Sequence, residues 1–135
     1  MAEIKIGNPD GLARPMGQYS HIARVKASEL LFIAGQLAAD KDGKLVGADD
    51  FDAQCGQVFA NIEEALSSQG ASFASVVEFT TYLVHSQDVP KFMKFRLREF
   101  PRIFPNGAYP PNTLLIVDRL VQEPFLIEVH TVAAL

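Results

Sequence analysis

Apolar and polar residues follow one another along this chain with a period that changes, and the changes mark the elements. From Met1 to Gln18, Gly7, Pro9, Gly11, Pro15 and Gly17 interrupt any regular pattern, so residues 1–18 read as an irregular arm with room for one short strand. Tyr19 to Lys26 alternates and predicts a strand, which Ala27-Ser28-Glu29 turns. Leu30 to Leu37 is apolar almost throughout, the mark of a strand buried on both faces. Asp40-Lys41-Asp42-Gly43-Lys44 is a turn, with glycine where a positive φ is expected.

The period then lengthens. Phe51, Cys55, Val58, Phe59, Ile62, Ala65 and Leu66 recur at steps of three and four, predicting a helix capped by Asp49 or Asp50 and closed by a left-handed Gly70. Ala71 to Ala74 connects it to a β-branched and aromatic strand, Val76 to Val84. A second helix is expected from Asp88, with Pro90 in its first turn, to about Phe100. Its apolar residues Val89, Phe92, Met93, Phe95 and Leu97 wrap further round than one buried stripe requires. Prolines and Gly107 enforce a loop after it, and Thr113 to Val117 and Phe125 to Val132 are expected to finish the chain as a hairpin around Val121-Gln122-Glu123-Pro124.

The resulting order, β-β-α-β-α-β-β, predicts an α+β fold with a mixed sheet and two helices on one face. Two helices cover one face only, yet Leu30 to Leu37, Thr113 to Val117 and Phe125 to Val129 are apolar at both parities. The second face therefore needs a cover, and another copy of the chain is the economical one.

Composition narrows the class. With 135 residues, 48% hydrophobic and 21% charged, the chain reads as a single globular domain over residues 1–135. Its net charge of -4 argues against nucleic acid or an anionic membrane as partner. Lys91, Lys94, Arg96, Arg98 and Arg102 hold five of the 12 basic residues and read as a solvated helix face rather than an anion site. The lone Cys55 excludes an intrachain disulfide, and Ala2-Glu3-Ile4-Lys5 is not the start of a secretory leader. No apolar run reaches membrane-spanning length, so the cytoplasm is the expected location.

Nothing in the chain matches a Walker loop, a dinucleotide-binding glycine pattern or paired cysteines. His21, His85 and His130 lack metal-ligand spacing and read as surface or hydrogen-bonded strand-end residues rather than metal ligands. Cys55 lies on the apolar helical stripe and reads as a small core residue. Glu128 differs, since it interrupts Phe125-Leu126-Ile127-Glu128-Val129, where every neighbour is apolar. Such a carboxylate is either desolvated and paired, faces a cleft and suits acid–base work, or is an edge-strand glutamate turned to water. The pattern alone leaves these open.

Tyr19-Ser20, Phe32-Ile33-Ala34-Gly35-Gln36, Asn61-Ile62, Thr80-Thr81-Tyr82-Leu83-Val84 and Leu126-Ile127-Glu128-Val129 occur in an order and spacing that resemble the reactive intermediate deaminase family, RidA or YjgF. The resemblance runs from about Gly17 to Ala133. It implies a chorismate-mutase-like fold, a homotrimer with three intersubunit clefts, and hydrolysis of imines or enamines such as 2-aminoacrylate to a keto acid and ammonia, without metal or cofactor. In that family an arginine binds the substrate carboxylate, a glutamate handles the water and a tyrosine lines the pocket. By resemblance Glu128 is the glutamate and Tyr19 the tyrosine.

The arginine position, after a proline at the start of the penultimate strand, is occupied by Asn112 in Pro110-Pro111-Asn112-Thr113-Leu114. Asparagine hydrogen-bonds but lacks the bidentate charged grip of a guanidinium. Leu114 also replaces the usual cysteine and Ala34 the usual serine, and the stretch from Asn112 to Glu128 is one residue longer. The loop from Pro101 to Tyr109 looks enlarged, and Arg102 within it is the cation expected to serve the cleft. These departures imply a divergent member acting on, or binding, a small molecule other than 2-aminoacrylate. The alternative is a non-catalytic small-molecule-binding or scaffolding trimer. The ribonuclease reading attached to some relatives finds no aromatic-basic strip here.

Overall fold

The structure, a computed structural model, describes residues 1–135. Six strands and two helices follow the chain: β1 Glu3–Gly7, β2 Ile22–Lys26, β3 Leu30–Gln36, α1 Phe51–Ser68, β4 Val76–Leu83, α2 Val89–Ile103, β5 Asn112–Ile116 and β6 Ile127–Ala134. The arm's one strand, β1, pairs antiparallel with β2 as a separate ribbon, and the other four form a mixed sheet in the order β3-β6-β4-β5.

Asp50, of the two candidate caps, closes α1: its side chain accepts from the Ala53 N–H, whereas Asp49 holds φ 54° in the turn before it. At the other end Gly70 takes φ 71°, and the Ala71 N–H reaches back to Leu66 O at 2.9 Å. The second helix departs from expectation at both ends. Asp88 occupies the cap position, but its carboxylate makes no cap bond and pairs with Lys91 at 3.2 Å. Helix α2 also runs through Pro101 to Ile103. Proline's missing N–H leaves only the carbonyl one turn back without a donor, close to the helix end.

The expected terminal hairpin is not formed. β5 pairs in parallel with β4, and β6 lies antiparallel between β3 and β4. The crossover through α2 sets β5 parallel on the outer side of β4, so the chain must pass β4 to place β6. Nor do β2 and β3 form a hairpin, since β2 is taken by β1. Gln54 secures the connection into β6: fully buried, it donates to Gly47 O and Pro124 O and accepts from the Leu126 N–H at 2.8 Å.

The core lies between the sheet and both helices. Phe59 meets Phe79, Phe95 and Phe100 with ring centroids 5.4–5.6 Å apart. Inward residues Phe79, Leu83, Ile127, Val129 and Ala133 complete that layer. Burying each aromatic ring contributes roughly 2–3 kcal/mol. Cys55 is fully buried there, and burial pushes its thiol far above the ordinary value, so it is a packing residue. The opposite face has no helix and leaves Leu30 at 53%, Phe32 at 72% and Leu115 at 45% exposure.

Candidate functional site

Glu128 stands on the helix-free face. On β6, Ile127 and Val129 point into the core, so the pleat turns Glu128 and His130 the other way. The register sets Tyr82 beside Glu128 and Thr80 beside His130. Across the sheet the β3–β6 ladder is irregular between Ile33 and Gln36, and this local bulge brings Gly35 under the glutamate. A Cβ on Gly35 would overlap the Glu128 side chain, with Cδ only 2.6 Å away. Glycine is therefore required for close approach, and Ala34 beside it is exposed. Half-buried Glu128 makes no hydrogen bond or ion pair within the chain, so it is not the internally paired carboxylate among the sequence's alternatives.

Asn112 opens β5 with the opposite parity. It registers with Phe79, and Leu114 with Thr81, both inward residues of β4. The Thr81 hydroxyl donates to Asn112 Oδ1 at 2.7 Å, which leaves the amide NH2 as the group Asn112 can offer. Leu114 packs against the core. Within one chain, then, Glu128 faces one side of the sheet while Asn112 and Leu114 face the other.

Tyr19 precedes Ser20, which bridges to Pro111 immediately before Asn112. Its hydroxyl accepts from the Met16 N–H at 3.2 Å, and its ring lies 5.7 Å from the Arg96 guanidinium carbon. Arg102 is not in a loop. It sits in the last turn of α2, 72% exposed along its side chain, and pairs with Glu99 at 2.9 Å. His21 binds Ala13 O through Nε2 at 2.6 Å, and no three His, Cys, Asp or Glu side chains gather closely enough to hold a metal ion.

The basic run of α2 is not a uniformly solvated face. Lys91, Arg98 and Arg102 pair with Asp88, Asp52 and Glu99, but Arg96 is 2% exposed, and its Nε and Nη1 have no partner. Desolvation lowers its pKa to about 10, which leaves it charged at neutral pH. Sequence reading missed it, although its spacing to Phe92, Phe95 and Phe100 follows the buried stripe. Asn61 also resolves: it donates to Leu37 O and Ala39 O, fixing the chain as it leaves β3.

The family model described as Endoribonuclease L-PSP matches residues 11–135. The chain belongs to this family, that of RidA and YjgF. A RutC family protein of Pyrococcus horikoshii is 34% identical over 121 residues, 89% of each chain. The 3-aminoacrylate deaminase RutC of Acinetobacter baylyi is 26% identical over 125 residues, 93% of each chain. Among solved structures, a protein of unknown function of the conserved Rid family from Yersinia pestis superposes with a TM-score of 0.86 at 32% identity, covering 98% of both chains. The RidA-type α+β fold is thereby shown, and no helix is long and apolar enough to cross a membrane.

Proposed function

We propose that this RidA-family chain hydrolyses a small imine, enamine or related metabolite in clefts between the copies of a homotrimer, on a substrate other than 2-aminoacrylate. The observation that carries this reading is Glu128: a carboxylate with no partner in its own chain, seated over Gly35 on the apolar face that lacks helices. Glu128 takes a proton from water as the oxygen bonds to the C=N carbon and passes it to nitrogen, giving a carbinolamine. The remaining hydroxyl proton then moves to nitrogen by way of the same carboxylate as the carbonyl forms and the C–N bond breaks. The products are a carbonyl compound and ammonia. No cofactor enters this balance.

The opposite parities of Glu128 and Asn112 support a site completed by a second copy, which brings its Asn112 edge to the first copy's Glu128 face. Asn112, its carbonyl held by Thr81, donates its amide N–H to a neutral oxygen of the substrate. Leu114 and Ala34 leave the cleft without the usual thiol and hydroxyl, and Tyr19 forms a wall. The Acinetobacter relative named for 3-aminoacrylate deamination supports the reaction class. The uncharged anchor favours one second reading, in which the trimer binds a metabolite or scaffolds a partner without turnover.

Ammonia release from a panel of enzymatically generated imines, both carboxylate-bearing and neutral, tests the proposal. Turnover by the wild type that is lost in Glu128→Gln supports it. Unchanged turnover in that variant sinks it, and ligand-dependent stabilisation without product moves the assignment to binding.

A further inference from the structure

The arm strand β1 leaves an apolar recess on the side of the molecule that carries the helices. Its burial alternates, so Ile4 and Ile6 turn inward while Glu3 and Lys5 face solvent. The β1–β2 ribbon is not continuous with the four-stranded sheet. Between its inner residues, Phe73 ahead of β4, and Ile103 and Phe104 at the end of α2 lies a space of about 240 Å³. Packed interiors hold few voids larger than a water molecule. We propose that this recess is a second ligand site, for a small neutral aromatic molecule that carries one hydrogen-bond acceptor.

Size, walls and polarity each narrow the occupant. An apolar cavity of about 150 Å³ stays dry and takes benzene, so this one admits a ring with a short substituent. No charged residue lines it, and a charged ligand would shed its hydration there without a counter-charge. Its floor is preformed: Phe104, 4% exposed, meets Phe73, Phe79, Phe100 and Tyr109 with ring centroids 5.2–6.3 Å apart. Phe73 and Phe104 cross at 70°, so a ring stacked on one meets the other edge-on. The one polar side chain among the lining residues is Asn106. Its Oδ1 accepts from the Ala108 N–H at 3.1 Å, which leaves the amide NH2 to donate to an acceptor on the ligand. The loop that the sequence marks as enlarged, from Pro101 to Tyr109, thus has a use, since its second half walls the recess. Glu128 and the open face take no part, and the inference is independent of the catalytic reading.

NMR titration of the protein, methyl-labelled at isoleucine and leucine, with acetophenone and with α-methylstyrene tests this. The two probes share a shape, and only acetophenone has a carbonyl oxygen. Acetophenone should shift the Ile4, Ile6 and Ile103 methyls saturably, and α-methylstyrene should move the same methyls with affinity about three- to tenfold weaker. Asn106→Leu should erase that difference by weakening acetophenone alone. Ala108→Phe, which fills the space, should abolish both titrations while the methyl spectrum stays that of a folded chain. No saturable shift in the wild type, shifts confined to Leu30 and Leu115 of the open face, or undiminished binding in folded Ala108→Phe would overturn the assignment. A preference for acetophenone that survives Asn106→Leu would overturn it as well.

Discussion

The two faces of one four-stranded sheet are finished to different degrees. On the covered face, Phe59, Phe79, Phe95 and Phe100 interlock, and Gln54 and the Thr81–Asn112 pair find their partners in the same chain. On the open face Leu30 and Phe32 remain exposed and Glu128 stands without a partner. The contrast teaches a division of labour: the covered face supplies the stability of one chain, and the open face is left for the second copy that the proposed site requires. Arg96 and Thr131 break the pattern inside the covered layer: the guanidinium Nε and Nη1 and the threonine hydroxyl have no partner.

Substitutions on the two faces should therefore separate stability from activity. The largest effect expected is on turnover: Glu128→Gln lowers it about 10²–10⁴-fold, the usual worth of a general base, while the melting temperature stays near wild type. Phe59→Ala should do the reverse, costing roughly 3–5 kcal/mol of stability in denaturant titration while the folded fraction keeps its turnover per site. Gly35→Ala, which drives a methyl into the Glu128 side chain, should cost about ten- to a hundredfold in turnover with a smaller loss of stability. Phe32→Asp should shift the oligomer toward monomer by sedimentation while circular dichroism is preserved.

The smallest effect lies on the solvated side of α2. Arg102, and then Arg98, hold the Glu99 carboxyl below its ordinary value of 4.5. A depressed folded-state value means that this contribution is present above the ordinary value and lost as pH falls through the folded one. Wild type should therefore be slightly more stable than Glu99→Gln at neutral pH, with the gap closing below about pH 4. Exposure and salt screening keep the gap small.

How much of this was legible in the sequence follows from which interactions are local. The three-and-four spacing from Phe51 to Leu66, the Asp50 cap and the left-handed Gly70 are set within a few residues, and α1 was readable from end to end. The β5–β6 hairpin was misread because pairing is decided at long range: β6 takes the slot between β3 and β4, which no local pattern marks. Glu128 was visible because a charge in an apolar run is conspicuous. Arg96 was hidden by neighbouring cations that made one charge run of two helix faces, although it falls at the fourth position from Phe92. The parity that separates Asn112 from Glu128 needed both ladders of β4.

That separation is the centre of the account, and mixing two inactive variants tests it most directly. Glu128→Gln removes the carboxylate, Asn112→Asp turns the anchor against its ligand, and each trimer alone should be nearly silent in ammonia release. Denatured together at equal amounts and refolded, they should recover about a quarter of wild-type activity, since most closed trimers then hold one site with both native residues. No recovery on mixing, or full activity of Asn112→Asp alone, would contradict a site built from the Glu128 face of one copy and the Asn112 edge of the next.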